Sequence, residues 1–141
     1  MGAARTEIHL TMRMITEMAT TKVPTRLRYA AADPFAVTLV FDSDAAGPIE
    51  WIFARELLVV GVTAACGDGD VRIWPAEAGN QIFIQLSSPS GRALFAAGIE
   101  PVGAFLKQTV GLVPFGTEHA QLDLDLALQL LFDPDPGVAP I

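Results

Sequence analysis

Two segments of this sequence alternate apolar and polar or small residues with a period of two, and this pattern restricts the fold more than any other feature. The first segment runs from Ile8 to Met14, and its apolar side chains are separated by His9, Thr11 and Arg13. Successive side chains of a β-strand point to opposite faces, so the apolar set defines one half-buried face of a strand. The segment from Phe35 to Phe41 is apolar on both faces, which predicts a central strand.

Further strand patterns fill the rest of the first hundred residues. A short second strand is expected at Arg26–Tyr29, after Pro24, and Ile49–Ala54 is expected to pair antiparallel with the Phe35–Phe41 strand across a polar turn. The remaining strands are predicted at Val71–Trp74, Ile82–Leu86 and Arg92–Ala97. The sequence therefore predicts six or seven antiparallel strands.

Helical patterns lie mainly in the last third of the chain. A short crossover helix is expected at Arg55–Val60, ended by Gly61 in the left-handed conformation. Apolar residues spaced three and four apart predict an amphipathic helix between Pro101 and Val113. The fold class is thus α+β, with antiparallel β-sheets packed against C-terminal helices.

The segment Gln121–Phe132 carries conflicting signals, because its leucines alternate like a strand but it contains no β-branched residue. We predict a helix, with one thin polar stripe and apolar residues almost everywhere else. Such a helix exposes too much leucine for a monomer. We therefore predict a homo-oligomer interface that includes Leu122, Leu126 and Leu130.

Length and composition predict one globular domain at residues 1–132, followed by a disordered tail rich in proline and acidic residues at 133–141. The net charge of −7 disfavours binding to a phosphate backbone. The single cysteine, Cys66, is expected to be a small buried hydrophobe. The longest uncharged run, Leu57–Gly67, is too short to span a bilayer, and we expect a soluble, cytoplasmic protein without direct membrane insertion.

The sequence offers few groups for chemistry. Two histidines and one cysteine do not supply a zinc site, and the Asp68–Asp70 turn lacks the spacing of a calcium loop. The serines of Ser87–Gly91 do not match a nucleophile elbow and are expected to bond the local backbone. Glu118 and His119 form the one acid–base pair worth weighing, and a loop or helix-entry role is favoured for them. We predict no catalytic residue, no metal and no cofactor.

Trp51 and Trp74 have two interpretations. Both lie in predicted strands, which favours core or sheet-edge positions over a partner-binding patch. A nucleic-acid platform would need interleaved aromatic and basic residues along one groove. Such a groove would form if four arginines converged, namely Arg26, Arg28, Arg55 and Arg72.

Several blocks together resemble the SsgA-like family of sporulation-specific cell division proteins. In chain order they are Leu27–Tyr29, Ala32–Val37, Glu50–Leu58, Gly67–Pro75, Leu86–Gly91, Phe105–Lys107, Val113–His119 and Leu122–Asp125. The likeness covers roughly Glu7 to Leu131, and it rests on the order and spacing of the blocks.

This resemblance implies a non-enzymatic adaptor that helps to position the tubulin-like division GTPase FtsZ at the septum, directly or through other division proteins. It also implies a homotrimer with a fold like that of the whirly-type single-stranded nucleic-acid binders. Binding of single-stranded nucleic acid is the alternative function, and it rests on that fold analogy. The leucine-rich final helix and the proline-rich tail depart from the family pattern and leave open both the subfamily and direct FtsZ binding. The sequence does not locate the partner-binding surface.

Overall fold

The computed structural model describes residues 4–44, 46–67 and 69–132, so the predicted tail at 133–141 and Asp68 lie outside the described residues. The described chain is α+β and has seven strands, the higher of the two numbers that the sequence predicted. In chain order the elements are β1 (Arg5–Ile15), β2 (Thr20–Ala30), β3 (Ala36–Ser43), β4 (Gly47–Ala54), α1 (Arg55–Gly61), β5 (Val71–Pro75), β6 (Gln81–Ser88), β7 (Gly91–Gly98), α2 (Ile99–Leu112) and α3 (Glu118–Phe132).

All seven strands form one antiparallel sheet in the order β4-β3-β2-β1-β7-β6-β5. The predicted alternation of β1 is confirmed, since Met12 is buried and His9 is exposed. β3 lies inside the sheet between β2 and β4, but the central strand is β1. The Phe35–Phe41 prediction began one residue early and ended two residues early, because β3 runs from Ala36 to Ser43.

β2 is much longer than the short strand predicted after Pro24. It begins at Thr20 and passes through Pro24, which lies opposite Thr11 of β1. The pairing of β2 with β3 begins one residue later, at Thr25. Pro24 therefore has no β3 neighbour that would need its missing N–H, which is how a strand tolerates a proline.

The sheet curls around its core. The rings of Phe41 on β3 and Phe95 on β7 stack with centroids 4.3 Å apart, although two strands lie between them in the sheet. Neighbouring strands are about 4.8 Å apart, so a flat sheet would separate these positions by roughly 14 Å. Helices α1 and α2 pack into the same core through fully buried residues, namely Leu58, Val102 and Phe105.

The prediction that Gly61 ends α1 in the left-handed conformation is wrong. Gly61 is the last residue of α1, is buried and has no left-handed conformation, and the capping residue Val62 that follows is also in the right-handed region. A Cβ atom at this position would lie 2.3 Å from Cγ2 of Ile73 on β5. Gly61 is thus required for close packing of α1 on the sheet and not for a left-handed turn.

Candidate functional site

Arg55 is the most buried charged residue described, with only 1% of its surface exposed. It is the first residue of α1, and its guanidinium reaches the end of α2 and the start of α3. Nη1 donates to the carbonyl oxygens of Thr109 (3.2 Å) and Val113 (2.7 Å), and Nη2 donates to Oε2 of Glu118 (2.9 Å). One buried cation therefore joins three helices.

We call Arg55 with its hydrogen-bond partners Thr109, Val113 and Glu118 the Arg55 anchor. Two aromatic rings also contact its guanidinium. The guanidinium carbon of Arg55 lies 4.9 Å from the ring centroid of Tyr29 and 4.6 Å from that of Phe115. Such contacts favour a cation that has been removed from water. The Tyr29 hydroxyl donates to the carbonyl oxygen of Pro34 at 2.8 Å, and burial raises the pKa of Tyr29.

Glu118 begins α3 and fixes its first turn. Its pKa is lowered by the backbone N–H of Glu118 itself, then by the hydrogen bond from Arg55, and the N–H of Gly116 also donates to Oε1 at 2.8 Å. A carboxylate at a helix N-terminus is also favoured by the helix dipole. The arrangement holds α3 at one defined point of attachment to the body.

The Glu118–His119 pair is not brought together as an acid and a base. The Glu118 carboxylate accepts hydrogen bonds from Arg55 and Gly116, while the His119 ring packs edge-on against Phe35 with centroids 5.0 Å apart. Both residues thus take the helix-entry role that the sequence favoured.

Beyond this anchor, α3 exposes a leucine face. The predicted interface residues Leu122, Leu126 and Leu130 are 36%, 55% and 58% exposed, and their four-residue spacing places them along one side of the helix. Leu131, which the sequence prediction left out, is 75% exposed but lies about 100° around the helix from Leu130, away from this side. We call Leu122, Leu126 and Leu130 the leucine face, and a partner for it stays a prediction.

The four arginines do not converge, so the proposed basic groove is absent from the described residues. Arg55 is buried, and Arg72 lies on β5, 5.9 Å from the Trp74 ring. Arg26 and Arg28 share the outer face of the sheet, where they pair with three carboxylates, namely Glu7, Asp42 and Glu50. These ion pairs offset the charge of Arg26 and Arg28 that would otherwise attract a phosphate backbone.

The tryptophans occupy the two edge strands, as the sheet-edge interpretation predicted, and a partner-binding role for either stays a prediction. Trp74 on β5 packs against Phe83, with ring centroids 5.8 Å apart. Trp51 on β4 is half-buried and lines a largely apolar cavity of about 470 Å³ between the β3–β4 and β6–β7 hairpins. We call this space the Trp51 cavity.

Other predicted sites have structural roles or are not found. Ser88 and Ser90 share a hydrogen bond of 2.9 Å, and the Ser90 N–H donates to the Ser88 hydroxyl, as expected for a turn. Cys66 is half-buried rather than buried, and its backbone bonds Ile73. Over residues 4–44, 46–67 and 69–132, no three His, Cys, Asp or Glu side chains group to hold a metal. No helix in this part is long and apolar enough to cross a membrane.

The fold and these surfaces define a small α+β protein with one curled antiparallel sheet and a final helix that exposes leucines. The family of Streptomyces sporulation and cell division proteins, SsgA, matches residues 23–118. SsgB of Streptomyces coelicolor, a sporulation-specific cell division protein, is 44% identical over 86% of this chain and 90% of its own length. SsgB of Thermobifida fusca is 43% identical over 79% of this chain and 83% of its own length.

Two solved structures that are similar to this chain also come from sporulation-specific cell division proteins. An SsgA-like sporulation-specific cell division protein from Thermobifida fusca superimposes with a TM-score of 0.82 at 39% identity, covering 89% of this chain and 94% of that one. A structure described with SsgB mutations that correlate to longitudinal cell division during sporulation of Streptomyces coelicolor gives 0.79 at 40% identity, covering 84% and 96%. The chain belongs to the SsgA family of sporulation and cell division proteins.

Proposed function

We propose that this protein is a non-enzymatic adaptor in sporulation-specific cell division, which helps to position FtsZ at septum sites from the cytoplasm. The observation that carries the proposal is the leucine face of α3, held in place by the Arg55 anchor. An apolar surface of this kind, rimmed by polar residues, is typical of a protein-binding site. The relatives contribute the process, because they are sporulation-specific cell division proteins.

A homotrimer is part of this proposal. Burying one leucine side chain is worth roughly 1.5–3 kcal/mol, so three or four exposed leucines strongly favour association. A whirly-like architecture belongs to the same proposal, and one antiparallel sheet packed with C-terminal helices is compatible with it.

Cosedimentation with FtsZ polymers tests the adaptor role. We expect saturable binding of the wild-type chain, and weaker binding of Leu130→Asp because it opens the leucine face of the proposed trimer and so removes the multivalent attachment of three chains to one polymer. Arg72→Gln, on the distant β5 strand, is the matched control and should bind like wild type.

A salt titration of oligonucleotide binding belongs beside this experiment. The paired arginines predict weak binding at all salt concentrations. Absence of FtsZ binding, combined with tight and strongly salt-dependent oligonucleotide binding, would replace the adaptor proposal with the nucleic-acid alternative.

A further inference from the structure

The two edges of the sheet differ in how their backbone groups are satisfied. At the β5 edge, the Cys66 N–H donates to the Ile73 carbonyl at 2.8 Å and the Ile73 N–H donates to the Cys66 carbonyl at 2.9 Å. The loop before β5 therefore covers that edge. β4 pairs only with β3. Among the described residues, no such backbone hydrogen bond is made along the edge of β4 that faces away from β3.

The register of the β3–β4 pair identifies the free groups. The Arg55 N–H donates to the Phe35 carbonyl at 2.7 Å, so Phe35 and Arg55 form a hydrogen-bonded pair. Such pairs alternate along an antiparallel ladder, and Pro48 has no N–H to give. The backbone groups of Glu50 and Ile52 consequently point away from β3, and Pro48 limits the open edge to the segment that follows it.

An exposed apolar side chain flanks this open edge on each face. On the outer face, the Ile52 side chain is 64% exposed. On the inner face, Ile49 and Trp51 lead into the Trp51 cavity, whose deeper wall includes Phe41 and Phe95. An added strand would place alternate side chains beside Ile52 and at the mouth of the cavity.

We propose that the β4 edge binds an extended segment of a partner protein as an eighth, antiparallel strand. The segment carries a basic residue opposite Glu50, an apolar residue opposite Ile52, and an apolar residue opposite Trp51 that enters the cavity. This proposal rests on the proposed adaptor function, which supplies the need for a partner, and it adds the β4 edge as a binding surface separate from the leucine face.

Unpaired N–H and C=O groups select a peptide as the occupant, because an alkyl chain would leave them without partners. Charge selects a basic partner over a second copy. Each chain carries a net charge of −7, and the one charged residue of β4 itself is the acidic Glu50. A cationic segment gains from both features, whereas a second copy gains from neither.

The test uses a synthetic peptide, Thr-Val-Val-Leu-Lys-Val-Thr, so that it can fail independently of FtsZ binding. When aligned antiparallel, its lysine lies opposite Glu50, its leucine opposite Trp51 and its second valine opposite Ile52. N-methylation of the lysine and the second valine removes the donors that would bond β4, and should weaken binding roughly tenfold or more. N-methylation of the leucine and the third valine, whose N–H groups point away, is the matched control and should change little.

Protein variants supply the reciprocal test. Ile52→Pro removes an outward donor at an edge position and should weaken peptide binding about fivefold. Glu50→Lys should weaken binding of the lysine peptide and strengthen binding of a peptide with glutamate in its place, while the exposed α1 variant Glu56→Lys should bind like wild type. Circular dichroism identifies any variant that fails to fold.

Amide hydrogen exchange in the unmodified protein gives a readout that does not depend on variants. Peptide binding should slow exchange at Glu50 and Ile52 but not at Trp51, whose N–H already bonds β3. No saturable binding, equal loss with both N-methylated peptides, or concentration-dependent dimerisation abolished by Ile52→Pro would each overturn the proposal.

Discussion

The buried side chain of Arg55 fixes the start of α3 against the end of α2. Its guanidinium satisfies two carbonyl groups at the end of α2 and the Glu118 carboxylate while remaining removed from water. Replacing one member of a buried charged network leaves the other polar groups unsatisfied. We predict that Arg55→Met lowers the free energy of unfolding by about 3 kcal/mol.

Urea denaturation measures this effect, and Arg72→Met is its control. Arg72 is exposed on β5, so its replacement should change the free energy of unfolding by no more than about 0.5 kcal/mol. Equal effects of the two substitutions would show that the Arg55 anchor does not stabilise the fold.

The same anchor predicts an acid-sensitive contribution to stability. Glu118 has a folded-state pKa below its ordinary value of 4.5. Its ionised form therefore stabilises the fold above that pH, and the contribution is lost as the pH falls through the lowered folded-state pKa. We expect Glu118→Gln to be less stable than wild type at pH 7 and the difference to shrink below pH 4.5.

Denaturation curves between pH 7 and pH 3 provide the measurement. Asp42, whose pKa is lowered mainly by its hydrogen bond from Arg26, follows the same rule on the opposite side of the sheet. Asp42→Asn should therefore show a similar pH dependence. A pH-independent difference for Glu118→Gln would mean that its role is packing and not charge.

At the scale of elements, the contact of α1 with β5 allows no side chain at Gly61. Alanine normally favours a helix over glycine by about 1 kcal/mol. Here its Cβ would overlap Ile73, and overpacking costs about 1–3 kcal/mol. We predict that Gly61→Ala is destabilising in thermal unfolding.

Gly103 provides the matched control within α2. A Cβ at that position meets no atom within 4 Å, so Gly103→Ala should stabilise the protein by about 0.5–1 kcal/mol. Stabilisation by both substitutions would show that α1 can move away from β5 at little cost.

The elements differ in how well the sequence predicted them. Alternation identified β1 because one face of that strand is solvated, and leucines without β-branched neighbours correctly predicted that α3 is a helix. The extent of β2 was missed because a proline such as Pro24 ends a strand unless the hydrogen-bonded pairing on the side of its nitrogen stops before it. That condition depends on β3, which is distant in sequence.

The site was harder to predict than the fold. Arg55 is followed directly by Glu56, and the two lie between the apolar segments Trp51–Ala54 and Leu57–Val60, which was the available signal for a buried cation. Its partners Thr109 and Glu118 lie far along the chain, so only the folded structure reveals the anchor. The open edge of β4 likewise depends on which strands become neighbours.

At the scale of the whole molecule, the prediction is a homotrimer held partly by the leucine face. The charge of −7 opposes association of identical chains, whereas burial of the exposed leucines favours it. Transfer of several leucines from water is worth more than screened surface repulsion at physiological salt, where the Debye length is about 8 Å. The free energy gained by burying leucines therefore exceeds the charge repulsion. Because salt screens that repulsion, added salt should strengthen the assembly.

Sedimentation at micromolar concentration tests this balance. Leu126→Asp places a charge in the leucine face and should convert the trimer to monomers while circular dichroism keeps its β signal. Ile52→Asp, which adds the same charge to a similarly exposed apolar position on β4, is the matched control and should remain trimeric. A wild-type chain that sediments as a monomer of 15.0 kDa would contradict the proposed trimer, because the exposed leucines would then need a different partner to cover them.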